Sequence, residues 1–75
     1  MSVKNKKFVV EMVHLALVPL QGGDVPINAN RDGFDDIVEA RAHFESAKKK
    51  GFDRVYLSQR TREGQLERIE TYQKD

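Results

Sequence analysis

The segment FVVEMVHLALVPL, starting at Phe8, constrains this chain more than any other feature. Val, Phe and Leu dominate it and Pro19 closes it, so it reads as a strand over residues 8–18. Its alternation does not separate an apolar face from a polar one. One parity carries Phe8, Val10, Met12, His14, Ala16 and Val18; the other carries Val9, Glu11, Val13, Leu15 and Leu17. A strand that is apolar on both sides must be covered on both sides, because soluble monomers rarely leave a continuous apolar patch in water. A fourth strand, or residues 19–33 folded over it, would provide cover within the chain. Otherwise a second subunit or a partner protein must. Val9, Val13, Leu15 and Leu17, or the opposite parity, are therefore the candidate protein-interface residues.

Seventy-five residues support one domain, 1–75, with net stability of about 4 to 11 kcal/mol and little room for a deep catalytic cleft. There is no cysteine, hence no disulfide framework and no thiolate metal site, which fits a reducing, cytoplasmic setting. With 13 basic and 12 acidic side chains the formal charge is +1, so only local clustering can argue for nucleic acid. Residues 1–7, with Lys4, Lys6 and Lys7, read as a flexible basic arm. Arm and apolar run together mimic a secretory signal. Glu11 and His14 interrupt the run, however, and no small-x-small cleavage site follows it. The run is also too short to cross a membrane as a helix.

QGGDVPINANRDG reads as a loop, to which Val25 and Ile27 can add a short strand. FDDIVEARAHFESAKKKG then predicts a helix over about 37–50. Asp36 is its N-cap with Glu39 completing a capping box, and Ile37, Ala40, Phe44 and Ala47 form one stripe. Lys48, Lys49 and Lys50 complement the negative helix end, Gly51 suits the left-handed position beyond it, and Phe52 can fold back on the last turn. DRVYLSQRT and QLERIETYQ form a hairpin around Arg62-Glu63-Gly64. A three-residue loop pairs Leu57 with Ile69 and Val55 with Thr71, keeping apolar side chains on one face; a two-residue loop would pair Leu57 with Glu70. The expected fold is α+β, in the order β-α-β-β: a mainly antiparallel sheet of three or four strands with one helix on one face.

Few constellations carry chemistry. NANRDGFDDIVE resembles the EF-hand calcium loop, with Asn28, Asn30, Asp32, Gly33, Asp36 and Glu39 at its ligand and glycine positions. It departs from that pattern at Asn28, which replaces Asp, and at Asp35, which replaces an apolar residue. An Asx-rich turn leading into a capped helix explains the same residues. His14 and His43 have no sequence neighbours that would complete a zinc site, and Ser46, Ser58, Thr61 and Thr71 lie in no nucleophile or phosphate-binding motif. No cofactor and no catalytic residue is expected. In the three-residue register the hairpin face away from Val55, Leu57 and Ile69 carries Arg54, Tyr56, Arg60, Arg68 and Tyr72, a set able to stack bases and hold phosphates, diluted by Glu70.

The stretch FDDIVEARAHFESAKKKGFDRVYL with the hairpin RTREGQLERIETY resembles very small proteins of tailed phages, anti-CRISPR proteins among them. That resemblance implies one helix laid on an antiparallel sheet and action by binding a host protein. Its motifs are packing and capping signals, so no functional residue is carried over. The expected function is a non-enzymatic protein-interaction module, homodimeric or bound to a host protein, of the phage accessory or inhibitor type. The alternatives are a single-stranded nucleic-acid binder and a calcium-binding domain.

Overall fold

A computed structural model describes residues 6–18 and 23–74 of the chain. Residues 1–5 of the expected basic arm lie outside it. Strand β1 (Phe8–Val18) is followed by β2 (Gly23–Phe34), helix α1 (Ile37–Lys49), β3 (Arg54–Arg60) and β4 (Leu66–Gln73). The sheet order is β2-β1-β3-β4 and every neighbouring pair is antiparallel. The α+β expectation holds, with four strands and one helix.

β1 has the predicted bounds and lies inside the sheet. β2 and β3 flank it and run in the same direction, so α1 carries the chain back across one face of β1. Phe8, Val10 and Met12 meet Val55, Leu57 and the helix residues Ala40, Phe44 and Ala47 in one buried cluster. Phe34, Ile37, Phe52 and Tyr72 close its margins. The predicted stripe is thus the packing face of α1. Asp36 caps the helix by accepting from Val38 N at 2.9 Å, and Gly51 sits at φ +87° beyond its end, where an L side chain would be strained.

The segment expected as a loop over 19–33 is instead largely strand: β2 occupies Gly23–Phe34 and pairs with β1 nearly along its whole length. Gly, Asn, Asp and Pro are poor strand formers, but β2 is an edge, with β1 on one side only. Pro26, opposite Leu15, needs no second ladder there. An irregularity between Met12 and His14 absorbs the one extra β2 residue.

The hairpin contains both registers that the sequence allows. Near the turn, Arg60 faces Leu66, Gln59 faces Glu67 and Ser58 faces Arg68, as in the three-residue loop; Gly64 there has φ +84°. Beyond Ser58 the register slips by one, so Leu57 faces Glu70 and Val55 faces Tyr72. Ile69 is the unpaired bulge residue. The expected pairs Leu57–Ile69 and Val55–Thr71 are therefore corrected.

Candidate functional site

The bulge at Ile69 redistributes the hairpin side chains. Alternation puts Arg54, Tyr56, Ser58, Arg60, Leu66 and Arg68 on the face opposite α1. Glu70 and Tyr72, expected there too, move to the helix side. The Glu70 carboxylate accepts from Arg41 of α1 at 2.9 Å. Tyr72 packs on the core with the Lys48 ammonium 5.6 Å from its ring centroid. The set Arg54, Tyr56, Arg60, Arg68 and Tyr72 is thus divided, four residues on one face and Tyr72 on the other.

β1 and β2 add to the open face. Val9 stands between Gly33 and Ser58, Glu11 between Arg31 and Tyr56, and Val13 beside Arg54. Arg31 Nε donates to Glu11 at 2.8 Å, and the Arg68 guanidinium carbon lies 3.9 Å from the Tyr56 ring centroid. Arg60 donates to the carbonyls of Lys6 and Gly64 at 2.9 and 2.8 Å, and its own amide donates to Lys7 O, fixing the start of β1 against β3. Arg54 Nε is buried without a hydrogen-bond partner. The contribution of Arg31 and Glu11 was invisible in the sequence, because it depends on β2 being a strand at all.

Val9 and Val13 are 2 % and 6 % exposed in the isolated chain, although they lie outside the helix-side cluster. No described element crosses the face they belong to. Both stand in the inner strand β1 with neighbours of the same face on β3, Val9 beside Ser58 and Val13 beside Arg54. As a contact surface for a partner, Val9 and Val13 are corrected: the open face shows polar and aromatic groups, with the valines as its floor. The proposed partner was needed to shield a bare apolar strand, and over residues 8–13 the chain shields itself.

Beyond Val13 the arrangement changes. β1 pairs with β3 only as far as Val13–Arg54, but with β2 as far as Val18–Gly23. Residues 14–18 and 23–27 form a two-stranded ribbon projecting past the four-stranded sheet. Leu15 is half-buried at its root, and Leu17 lies further out on the backbone, its side chain being outside the described residues. The root is tied down by the residues leading into β3. Phe52 stacks on His14 with ring centroids 4.5 Å apart, and the Asp53 carboxylate accepts from Leu15 N at 2.7 Å.

The calcium-loop expectation fails on geometry. An EF-hand loop must curl around its ion, whereas Asn28, Asn30 and Asp32 lie along an extended strand that continues to Phe34. Asp36 is occupied as the helix cap, and Glu39 lies in the first helical turn. Asp32 Oδ2 sits 2.9 Å from His43 Nε2, off the axis of a good hydrogen bond, so that nitrogen is buried without an aligned acceptor. Among the described residues no three His, Cys, Asp or Glu side chains come together as a metal site. No helix among them is long and apolar enough to cross a membrane.

Comparison with protein-family models, with curated proteins and with solved structures returned no match.

Proposed function

We propose that the chain is a non-enzymatic protein-interaction module that associates through the β1–β2 ribbon, with a second copy of itself as the partner. One observation carries this: β1 loses β3 as a neighbour after Val13 yet continues to Val18 paired with β2 alone. A two-stranded ribbon is marginal in water. This one carries Leu15, Ala16, Leu17, Val18, Val25 and Ile27 in its sequence. On its β3 side the edge of β1 beyond Leu15 is open among the described residues. Two such edges related by a two-fold axis pair antiparallel, joining two four-stranded sheets and burying apolar side chains from both copies. An accessory or inhibitor role, of the kind the helix-hairpin resemblance implies, suits a protein that works by contact. Cytoplasmic location is part of the same proposal.

Light scattering coupled to size exclusion, across a wide concentration range, tests this. A dimer that dissociates on dilution is expected, and Leu15→Asp with Leu17→Asp should leave a folded monomer. A wild-type chain that stays monomeric at the highest concentration would overturn self-association through the ribbon.

A further inference from the structure

In an antiparallel strand every second residue turns its N–H and C=O to the same side. In β1 the odd-numbered residues turn theirs toward the lane that β3 occupies: Val13 O accepts from Asp53 N at 3.0 Å, and Leu15 N donates to the Asp53 carboxylate at 2.7 Å. Leu15 stands opposite Pro26, which has no amide hydrogen, as suits a pair whose own bonds point away from each other. Leu17, opposite Asp24, turns its polar groups the same way as Leu15. Past Val13 no described strand fills the lane, yet its first position is taken. The Asp53 side chain sits where an added strand would place a carbonyl. That carboxylate is 36 % exposed, and His14 Nδ1, 3.9 Å away, is too distant to hold it by a hydrogen bond.

We infer that Asp53 is an autoinhibitory latch on the edge of β1: its carboxylate stands in for a partner strand at Leu15, and a second copy pairs fully only by displacing it. This rests on the reading of the β1 edge as the place where two copies meet. With the latch closed, two edges related by a two-fold axis pair around Leu17, where the two Leu17 residues exchange one reciprocal pair of hydrogen bonds. With both latches open the axis moves to Ala16. Each Leu17 N then donates to Leu15 O of the other copy, and each Leu15 N to Leu17 O, giving four bonds in place of two. A carboxylate accepts more strongly than a peptide carbonyl, and Asp53 is already held in the same chain, so the parent keeps the shorter pairing and a weak, reversible dimer. A charged side chain set into an open lane also protects a bare edge from unwanted strands.

The test is sedimentation equilibrium of the full chain, comparing the parent with Asp53→Ala and Asp53→Asn. Asp53→Ala frees the Leu15 amide of both copies and should tighten the dimer by about tenfold or more, at one net hydrogen bond for each amide. Asp53→Asn keeps an acceptor oxygen and should fall between the two. Hydrogen exchange gives a second reading. In dilute Asp53→Ala the Leu15 amide should exchange faster than in the parent, and concentrating the variant should slow it again as the second copy takes that amide over. Leu17→Pro removes an amide that both registers need and none of the β1–β2 bonds, so added to Asp53→Ala it should restore the monomer. Dimers of equal affinity in the parent and Asp53→Ala would overturn the latch and leave pairing through the ribbon standing. A monomeric parent beside an Asp53→Ala dimer that Leu17→Pro breaks would support the latch and overturn association of the parent. Monomers throughout would overturn both. Tightening that survives Leu17→Pro would overturn the latch, because the copies would then meet through another surface.

Discussion

The Asp53 carboxylate accepts the Leu15 amide at 2.7 Å, so a side chain holds the β1 group that a longer β3 would otherwise hold. The backbone of Asp53 still belongs to the ladder, its N–H donating to Val13 O at 3.0 Å and its carbonyl accepting from Lys74 at 2.8 Å. Asp53 is therefore the point where four strands narrow to two. Replacing it by Ala strands a part-buried amide at the ribbon root and should cost about 1 to 2 kcal/mol. For a chain of this length that lowers the melting midpoint by roughly 4 to 15 °C. Asp53→Asn keeps an acceptor oxygen and should lose less. Calorimetry of the two variants checks the order, and hydrogen exchange at the Leu15 amide should speed up in the first.

The bulge at Ile69 makes a second prediction. Ile69 has no partner on β3, and its side chain is 42 % exposed on an edge strand. Deleting it leaves Ser58 opposite Arg68 and Leu57 opposite Glu70 in one uninterrupted register, with Tyr72 still on the helix side. The deletion should fold. Deleting Thr71 instead would exchange faces for Tyr72 and remove its packing against the core. Circular dichroism melts should show a midpoint near the parent for the Ile69 deletion and a clear loss for the Thr71 deletion. Equal losses would mean that the bulge does not set the face of Tyr72.

What could be read in the sequence follows the same divide. β1 and α1 were legible because their signals are local: a dense apolar run closed by Pro19, and an Asp36 cap leading a stripe to Phe44 and Ala47 before Gly51. β2 was hidden because Asn28, Asn30, Asp32 and Gly33 favour a turn locally, and only the demand of β1 for a second neighbour makes them a strand. The Ile69 bulge was hidden because each register answers a different demand: the turn with Gly64 at positive φ sets the pairing from Ser58 to Arg60, and the packing of Tyr72 on the core sets the pairing from Arg54 to Leu57. The candidate surfaces suffered accordingly. Four of the five hairpin residues proposed for nucleic acid share a face, while Tyr72 does not. Val9 and Val13 belong to one of the two parities that the sequence left open; they lie outside the helix-side cluster yet are buried in the isolated chain.

Gly51 supports a third prediction. Its φ of +87° is the left-handed value that ends α1, and no atom would crowd a Cβ there. The penalty for Gly51→Ala is then conformational alone, about 1 to 2 kcal/mol. Gly51→Asn should recover part of it, since Asn tolerates that region best among the residues with a side chain. Urea titrations should show shifted midpoints with an unchanged slope, because the same surface is exposed on unfolding. An Ala variant as stable as the parent would show that the helix end relaxes out of the left-handed turn.

The fourth prediction concerns the segment from Asn28 to Glu39. If its carboxylates wrapped a cation, calcium would raise the midpoint of unfolding, since a ligand of the native state stabilises it by mass action. In the strand-and-cap geometry the same residues have other work: Asp36 accepts from Val38 N at 2.9 Å, and Asp32 lies 2.9 Å from His43. Calcium and chelator should therefore give superimposable melting curves. Asp36→Ala should destabilise by about 1 kcal/mol through loss of the cap whether calcium is present or not. Glu39→Gln, which keeps the helix-forming side chain and removes only a charge from its first turn, should cost no more than a few tenths of a kcal/mol. A midpoint that rises with calcium and falls back in Glu39→Gln would mean that β2 melts from its C-terminal end to close around the ion.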